Sequence, residues 1–209
     1  MNGKIFNDLD RLMEIPPVAN APCLDFVNTI DNWFSPNYDY ITNYEALLFW
    51  SERVFIVTKN QSSLLLAKGQ KDAHAANKIV RLGARHRLLL HDLFASVASG
   101  SAPSSELLDR LHLFHAKAIA NAKLIARGSN FALSWDHSDH LAVPLFVIAH
   151  TAYDLLATGT LDRIKVCPTC GSLFYDTSKN AKRRWCSMDT CGVQDKMRRY
   201  HMRARQKRD

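Results

Sequence analysis

Cys167-Pro168-Thr169-Cys170-Gly171 and, with fifteen residues between Cys170 and Cys186, Cys186-Ser187-Met188-Asp189-Thr190-Cys191 hold four of the five cysteines in this 209-residue chain. A C-x-x-C pair lets two sulfurs reach one ion from a tight turn, and Gly171 permits the bend that follows. The second pair, spaced by four residues, suits one ligand before a helix and one in its first turns, with Ser187 as the N-cap. Two cysteine pairs at this spacing predict a four-cysteine zinc site with Cys167, Cys170, Cys186 and Cys191 as ligands. A site closed by four thiolates leaves no position for substrate, so a single structural Zn2+ is expected and catalysis at the metal is not. The competing reading, a redox C-x-x-C, calls for a helix opening in a βαβ unit. Here the pair runs instead into Ser172-Leu173-Phe174-Tyr175, which reads as a hairpin.

Charge gathers around these thiols. Residues 163–209 hold 13 Lys/Arg against 4 Asp/Glu, a net of +9, whereas residues 1–162 hold 14 against 16, a net of −2. A localised basic surface points to a polyanionic partner rather than a generally basic protein. Stepping 100° per residue, Val193, Met197, Tyr200 and Ala204 share one face of a C-terminal helix, the face expected to pack on the zinc core. Lys196, Arg199 and Arg203 flank it on one side, and Arg198 and Arg205 on the other. Lys182, Arg183 and Arg184 are read as lying on a strand that leads into Cys186. These eight cations are the expected nucleic-acid contacts, to DNA in the first place; the charge pattern does not separate DNA from RNA. With few aliphatic residues, the tail is expected to take most of its folding free energy from the metal. Zinc removal should then unfold it and leave residues 1–160 folded.

The remaining chain reads as a mainly helical α+β fold with a boundary near residue 160. Residues 1–22, with Pro16, Pro17 and Pro22, read as an extended entry. Apolar positions 23, 26, 27 and 30 fit one helix face, and residues 31–40 read as a loop. Thr42 with Glu45 forms a capping-box pattern that opens a helix through Val54. A short helical piece is expected at 62–67, a long helix at 73–98, and a helix at 106–120 capped by Ser104 or Ser105. Residues 123–127 and 131–135 around Gly128-Ser129-Asn130 read as a β-hairpin. Residues 141–158 form an almost wholly apolar helix, expected at the centre of the core. The treble-clef-like zinc module follows as residues 161–209.

No stretch near the N-terminus resembles a signal peptide, and no apolar run approaches the roughly 18 residues of a spanning helix. A cytoplasmic protein with no membrane partner is expected, and clustered thiols in a reducing compartment favour metal over disulfide. Cys23, the odd cysteine, reads as a small core residue. Asp25, Asn28 and Thr29 interrupt an apolar helix start and are candidates for a ligand pocket or for local backbone bonds. Asp136-His137-Ser138-Asp139-His140 reads as a polar helix-start loop, and His150 with Asp154 as an i,i+4 contact. A phosphate loop, a nucleophile elbow and paired catalytic carboxylates are all lacking, so an enzyme is not expected.

The tail resembles the CGNR zinc finger through Cys167, Cys170, Gly171, Phe174, Asp176, Ser178, Asn180, Arg183, Arg184, Trp185, Cys186, Ser187, Met188, Cys191 and Gly192. The signature Cys-Gly-Asn-Arg is Cys191-Gly192-Val193-Gln194 here, so both of its polar residues are replaced. Leu24-Asp25-Phe26-Val27-Asn28-Thr29 and Glu45-Ala46-Leu47-Leu48-x-Trp50 resemble the ABATE domain, which commonly precedes this finger in bacteria. The resemblance implies a stress-response transcription regulator that binds DNA through its tail. Its larger domain would sense a small-molecule effector or mediate assembly, as a homodimer for example. Two alternatives stay open: a finger that docks an acidic protein surface or RNA, and an enzyme with its site in the larger domain.

Overall fold

The computed structural model describes residues 8–206; expectations for residues 1–7 and for Lys207 and Arg208 lie outside the described residues. Helices α1 (Asp8–Glu14), α2 (Pro22–Val27), α3 (Tyr44–Arg53), α4 (Lys59–Lys71), α5 (Ala73–Ala98) and α6 (Ser105–Ala120) come first. The antiparallel hairpin β1 (Lys123–Arg127) and β2 (Asn130–Ser134) follows, then α7 (Val143–Thr158). A second antiparallel hairpin, β3 (Ile164–Val166) and β4 (Leu173–Tyr175), carries the C-x-x-C in its turn. One turn of π-helix, Met188–Gly192, leads into α8 (Val193–Gln206). The chain is therefore mainly helical with a hairpin, as its pattern predicts, and it ends in a cysteine cluster.

Local chemistry explains most boundaries. Helix α5 has the predicted limits; Asp72 caps its start by accepting from Ala75 N–H. Ser104 caps α6 by accepting from Leu107 N–H. Three expectations need correction. The start of α3 is capped by Asn43, which accepts from Ala46 N–H at 2.8 Å, rather than by Thr42. Helix α4 is longer than the piece expected at 62–67, because Thr58 caps it by accepting from Gln61 N–H. The supposed extended entry contains α1, which is held by the fully buried Leu12 and by a hydrogen bond from Arg53 Nη1 to Leu12 O.

Helix α2 lies at the centre, with Cys23, Leu24, Phe26 and Val27 buried against α5, α7 and β4. Burial pushes the Cys23 thiol up to about 12, so it behaves as a small apolar core residue. The helix stops at Val27 instead of reaching Ile30, because the next two side chains are used elsewhere. Thr29 Oγ1 donates to Phe26 O at 2.7 Å and accepts from Arg87 Nη1 at 2.7 Å. Arg87, buried on α5, also ion-pairs with Asp39. This pins the 31–40 loop, whose ends meet in a β-bridge between Ile30 and Asp39. Helix α7 is buried in its first part, up to Ala152, as its composition predicts; beyond that Tyr153, Asp154, Ala157 and Thr158 are exposed. The expected His150–Asp154 contact is not formed among the described residues; His150 Nδ1 lies instead 3.2 Å from His115 Nε2 on α6.

Candidate metal centre and nucleic-acid interface

The four cysteines converge as their spacing predicts. One sulfur from each lies within 4.8 Å of every other, and all four residues are buried. The Cys170–Cys186 and Cys186–Cys191 sulfurs are 3.6 Å apart, and Cys191–Cys170 are 3.5 Å apart. A tetrahedral ion with bonds of about 2.3 Å to sulfur sets its ligands about 3.8 Å apart, so the cluster has the dimensions of one structural zinc. The backbone is shaped to match. Cys167 N–H donates to Ser172 O and Gly171 N–H to Cys167 O, closing the turn. Gly171 adopts φ +75°, and a Cβ there would sit 2.7 Å from Trp33 Cβ, so glycine is required twice over. Ser187 caps the π-helical turn by accepting from Thr190 N–H, which brings Cys191 to the other three.

The electrostatics call for a cation. Burial first, and negative charge at Cys170 next, push the Cys191 thiol up to about 12. The Cys186 thiol is pushed up as well, first by its hydrogen bond with Cys167. Sulfurs packed this closely cannot all be thiolates unless a positive ion lies among them. Ser172 Oγ, 3.2 Å from Cys170 Sγ, is placed to support a ligating sulfur.

Asp176 organises the loop between the cysteine pairs. Burial alone would raise its carboxyl. A hydrogen bond from Lys165 Nζ at 2.6 Å and N–H donors from Ser178 and Arg183 outweigh that and hold it well below the usual carboxylate range. Lys165 Nζ also bonds Ala181 O and Arg183 O, so its three protons are all used. Sequence reasoning overlooked Lys165, whose partners lie 11 to 18 residues away.

The finger is fastened to the helical domain. Asn28 clamps β4 like a strand neighbour: its Nδ2 donates to Leu173 O at 2.8 Å, and its Oδ1 accepts from Leu173 N–H at 3.0 Å. Trp33 N–H donates to Cys170 O at 2.8 Å, and the Trp33 ring stacks on His91 of α5 at 3.7 Å. Tyr175 N–H donates to Ala19 O. Asp25 accepts from Ala19 N–H at 2.9 Å. The three residues read as a candidate ligand pocket are thus engaged in internal bonds; the cavity bordering both Asp25 and Asn28 holds only about 10 Å3, while Asn28 also lines a cavity of about 450 Å3 beside Cys170 and Cys186.

Asp25 supplies a pH prediction. Burial first raises its carboxyl from 3.8 to about 6, against the opposing Ala19 N–H and the charge of Arg183. A raised folded-state pKa means that the native state holds the proton more tightly. Its stability therefore falls as pH climbs through about 6, and the charged form carries a penalty of at most about 3 kcal/mol. Asp25→Asn keeps an oxygen for Ala19 N–H and removes that penalty. Thermal unfolding of the variant should show a gain at pH 8 that is roughly halved at pH 5; a gain independent of pH would contradict the assignment.

The basic residues divide. Arg183 is spent on the fold: it donates to Val18 O, Trp185 O and Cys186 O and lies 4.7 Å over the Phe174 ring. Lys182 and Arg184 are exposed on coil, not on a strand, and line a groove of about 800 Å3 beside the end of α5. On α8, buried Asp195 ion-pairs with Arg198 at 2.7 Å and Arg199 at 3.0 Å. Lys196, Arg203 and Arg205 form no ion pair among the described residues and are exposed. The expected inner face is the main correction. Val193, Met197 and Tyr200 are exposed by 50%, 50% and 66%, and every residue from 196 to 206 is exposed. Leu173 and Phe174 are fully buried in the hairpin that packs on α2 and α5, whereas α8 makes its main contacts with its own lead-in turn and leaves that face to solvent.

No described helix is long and apolar enough to cross a membrane. Residues 20–159 match the model of the ABATE family, whose description is "Putative stress-induced transcription regulator", and residues 163–204 match that of the CGNR zinc finger. The search of curated proteins found no match.

Proposed function

Because the chain belongs to the ABATE family and carries a CGNR zinc finger after that domain, we propose that it is a zinc-dependent, DNA-binding transcription regulator and not an enzyme. The observation that carries this reading is α8 itself. Fourteen residues make a rod about 21 Å long, rooted at the cysteine cluster and solvent-facing along its length. Such a rod fits the major groove, which is about 12 Å wide. Lys196, Arg203 and Arg205 would meet phosphates directly. Arg198 and Arg199 would be oriented by Asp195, and Lys182 and Arg184 would add contacts from the loop before Cys186. The sulfurs of Cys186 and Cys191, 3.6 Å apart, hold the roots of loop and helix together, so one metal ion would order both basic elements. The helical domain would sense an effector and report it to the finger through Asn28 and Trp33.

The test is salt-dependent binding of the zinc-loaded chain to duplex DNA. Log affinity should fall linearly with log salt, and Arg203→Glu with Arg205→Glu should flatten the slope by about 2 and abolish binding near 200 mM salt. Affinity and slope unchanged by that pair would remove α8 as the reader. Absence of duplex binding even near 50 mM salt would reject the DNA reading. A second reading, a finger that docks a protein partner or RNA, is favoured by the exposed Val193, Met197 and Tyr200; protection of those side chains by a protein or RNA but not by duplex DNA would select it.

A further inference from the structure

A cavity of about 250 Å3 opens between α5 and α6, away from the finger. Three cations, Arg85, Arg110 and Lys117, stand around it, and its lining contains no acidic residue. Arg110 has one weak partner, Glu106 at 3.9 Å and largely exposed; Arg85 and Lys117 form no ion pair among the described residues. The walls are apolar, with Phe114 on the floor and Leu113 left 64% exposed at the mouth. Cations gathered over an uncovered apolar surface suit a molecule with a negative group at one end and an apolar body at the other.

His86 refines the chemistry. Its Nδ1 lies 3.2 Å from Leu82 O, a carbonyl that can only accept, so Nδ1 carries the proton. The bond fixes the ring, whose centroid lies 3.8 Å from that of Phe114. Nε2 is buried and has no hydrogen-bond partner among the described residues. Burial first lowers the ring's pKa to about 4, with Arg110 and Arg85 adding to the shift, so the imidazole is neutral near pH 7 and Nε2 is an acceptor. A buried acceptor without a donor costs free energy that a ligand hydroxyl would restore.

We propose that the α5–α6 cavity is the effector site of the helical domain, and that it takes a small aromatic hydroxy-carboxylate. Arg85, Arg110 and Lys117 hold the carboxylate, Leu113 and Phe114 hold the ring, and His86 Nε2 accepts from the hydroxyl. The size suits a small ligand: about 250 Å3 lies just below the roughly 300–1,000 Å3 of sites that take drug-sized molecules. The site is also connected to the finger. Helix α5, which forms one wall, carries Arg87 and His91 to Thr29 and to Trp33, and Trp33 N–H bonds Cys170 O. The proposal rests on the sensing role given above to the helical domain and is independent of whether α8 binds DNA.

Calorimetry on the full zinc-loaded chain, without DNA, separates the outcomes, using 4-hydroxybenzoate, benzoate and inorganic phosphate as probes. 4-Hydroxybenzoate should bind about tenfold tighter than benzoate, and phosphate more weakly than either. Arg85→Gln with Arg110→Gln, both at the surface, should weaken both aromatic probes at least tenfold while the unliganded melting temperature stays unchanged. His86→Phe should erase the preference for the hydroxylated probe. Should that variant fold poorly, the His86 ring proton signals of the native chain should shift with 4-hydroxybenzoate and not with phosphate. Equal binding of phosphate, affinity insensitive to the arginine pair, or no aromatic binding at millimolar concentration would each overturn the proposal.

Discussion

Stripping zinc from the native chain should do more than unfold the finger: it should loosen α2 and α5 as well. The metal contributes on the order of 10 kcal/mol to a site of this kind, and the finger has little else of its own. Its buried apolar residues, Ile164, Leu173 and Phe174, face the helical domain rather than α8. Once the turn that brings Cys191 to the other three ligands opens, α8 has no packing partner left, and an isolated helix of 14 residues is marginal in water. The same opening uncovers α2. Losing the cover of those three side chains, at roughly 1.5–3 kcal/mol each, removes about 5 kcal/mol or more from the helical domain. Asn28 loses both of its bonds to Leu173 besides. The midpoint of thermal unfolding should therefore drop by about 10 °C or more. Hydrogen exchange after complete chelation would locate the effect, with protection lost across residues 163–206 and reduced in α2 and at residues 87–94 of α5. Retention of the α8 helical signal without zinc would overturn the account of the finger. Unchanged protection of α2 would show instead that the two parts fold independently, as the sequence alone suggests.

That difference marks where legibility ended. The cysteine ligands, α5, and the Ser104 and Ser187 caps are local patterns, complete within a few residues, and each was readable. The Asn28 clamp on Leu173 spans 145 residues, and the Arg183 bond to Val18 O spans 165, so no window of sequence contains either. Three polar residues on an apolar stretch signalled a special role at 25–29 without saying which. Helical periodicity grouped Val193, Met197 and Tyr200 on one face, but periodicity states only which residues share a face. Whether anything covers that face depends on the rest of the chain, and here Val193, Met197 and Tyr200 stay exposed. Adjacent Thr42 and Asn43 could each cap α3, and only backbone geometry chose between them. Arg183 looked like one of several equivalent cations, because a guanidinium spent on carbonyls and one facing solvent read alike.

Asp176 should be the most sensitive position outside the metal ligands. Its side chain is fully buried, and it receives hydrogen bonds from Lys165 Nζ, Ser178 N–H and Arg183 N–H. Asp176→Ala leaves a mostly buried ammonium, with 24% of the Lys165 side chain exposed, and two N–H groups without their acceptor. Breaking a buried pair from one side costs about 3–5 kcal/mol, because the surviving charge is left uncompensated. Lys165→Met should cost less than Asp176→Ala, since the carboxylate keeps two backbone donors and can also take up a proton. The double variant should then be less damaging than the sum of the two singles, with an interaction term of about 1–3 kcal/mol. The sign of that term distinguishes a mutually dependent pair from two independent contributors, which would add. Zinc retention gives a second reading of the same coupling. Asp176 fixes the loop from 178 to 183, which delivers Cys186 to the site, so Asp176→Ala should weaken zinc affinity by about 10–100-fold, the loss typical of groups that orient ligands without touching the metal. Competition with a chromogenic chelator measures it. Native zinc affinity in a destabilised Asp176→Ala chain would separate the carboxylate's role in folding from any role at the metal centre and would remove it from the scaffold that positions Cys186.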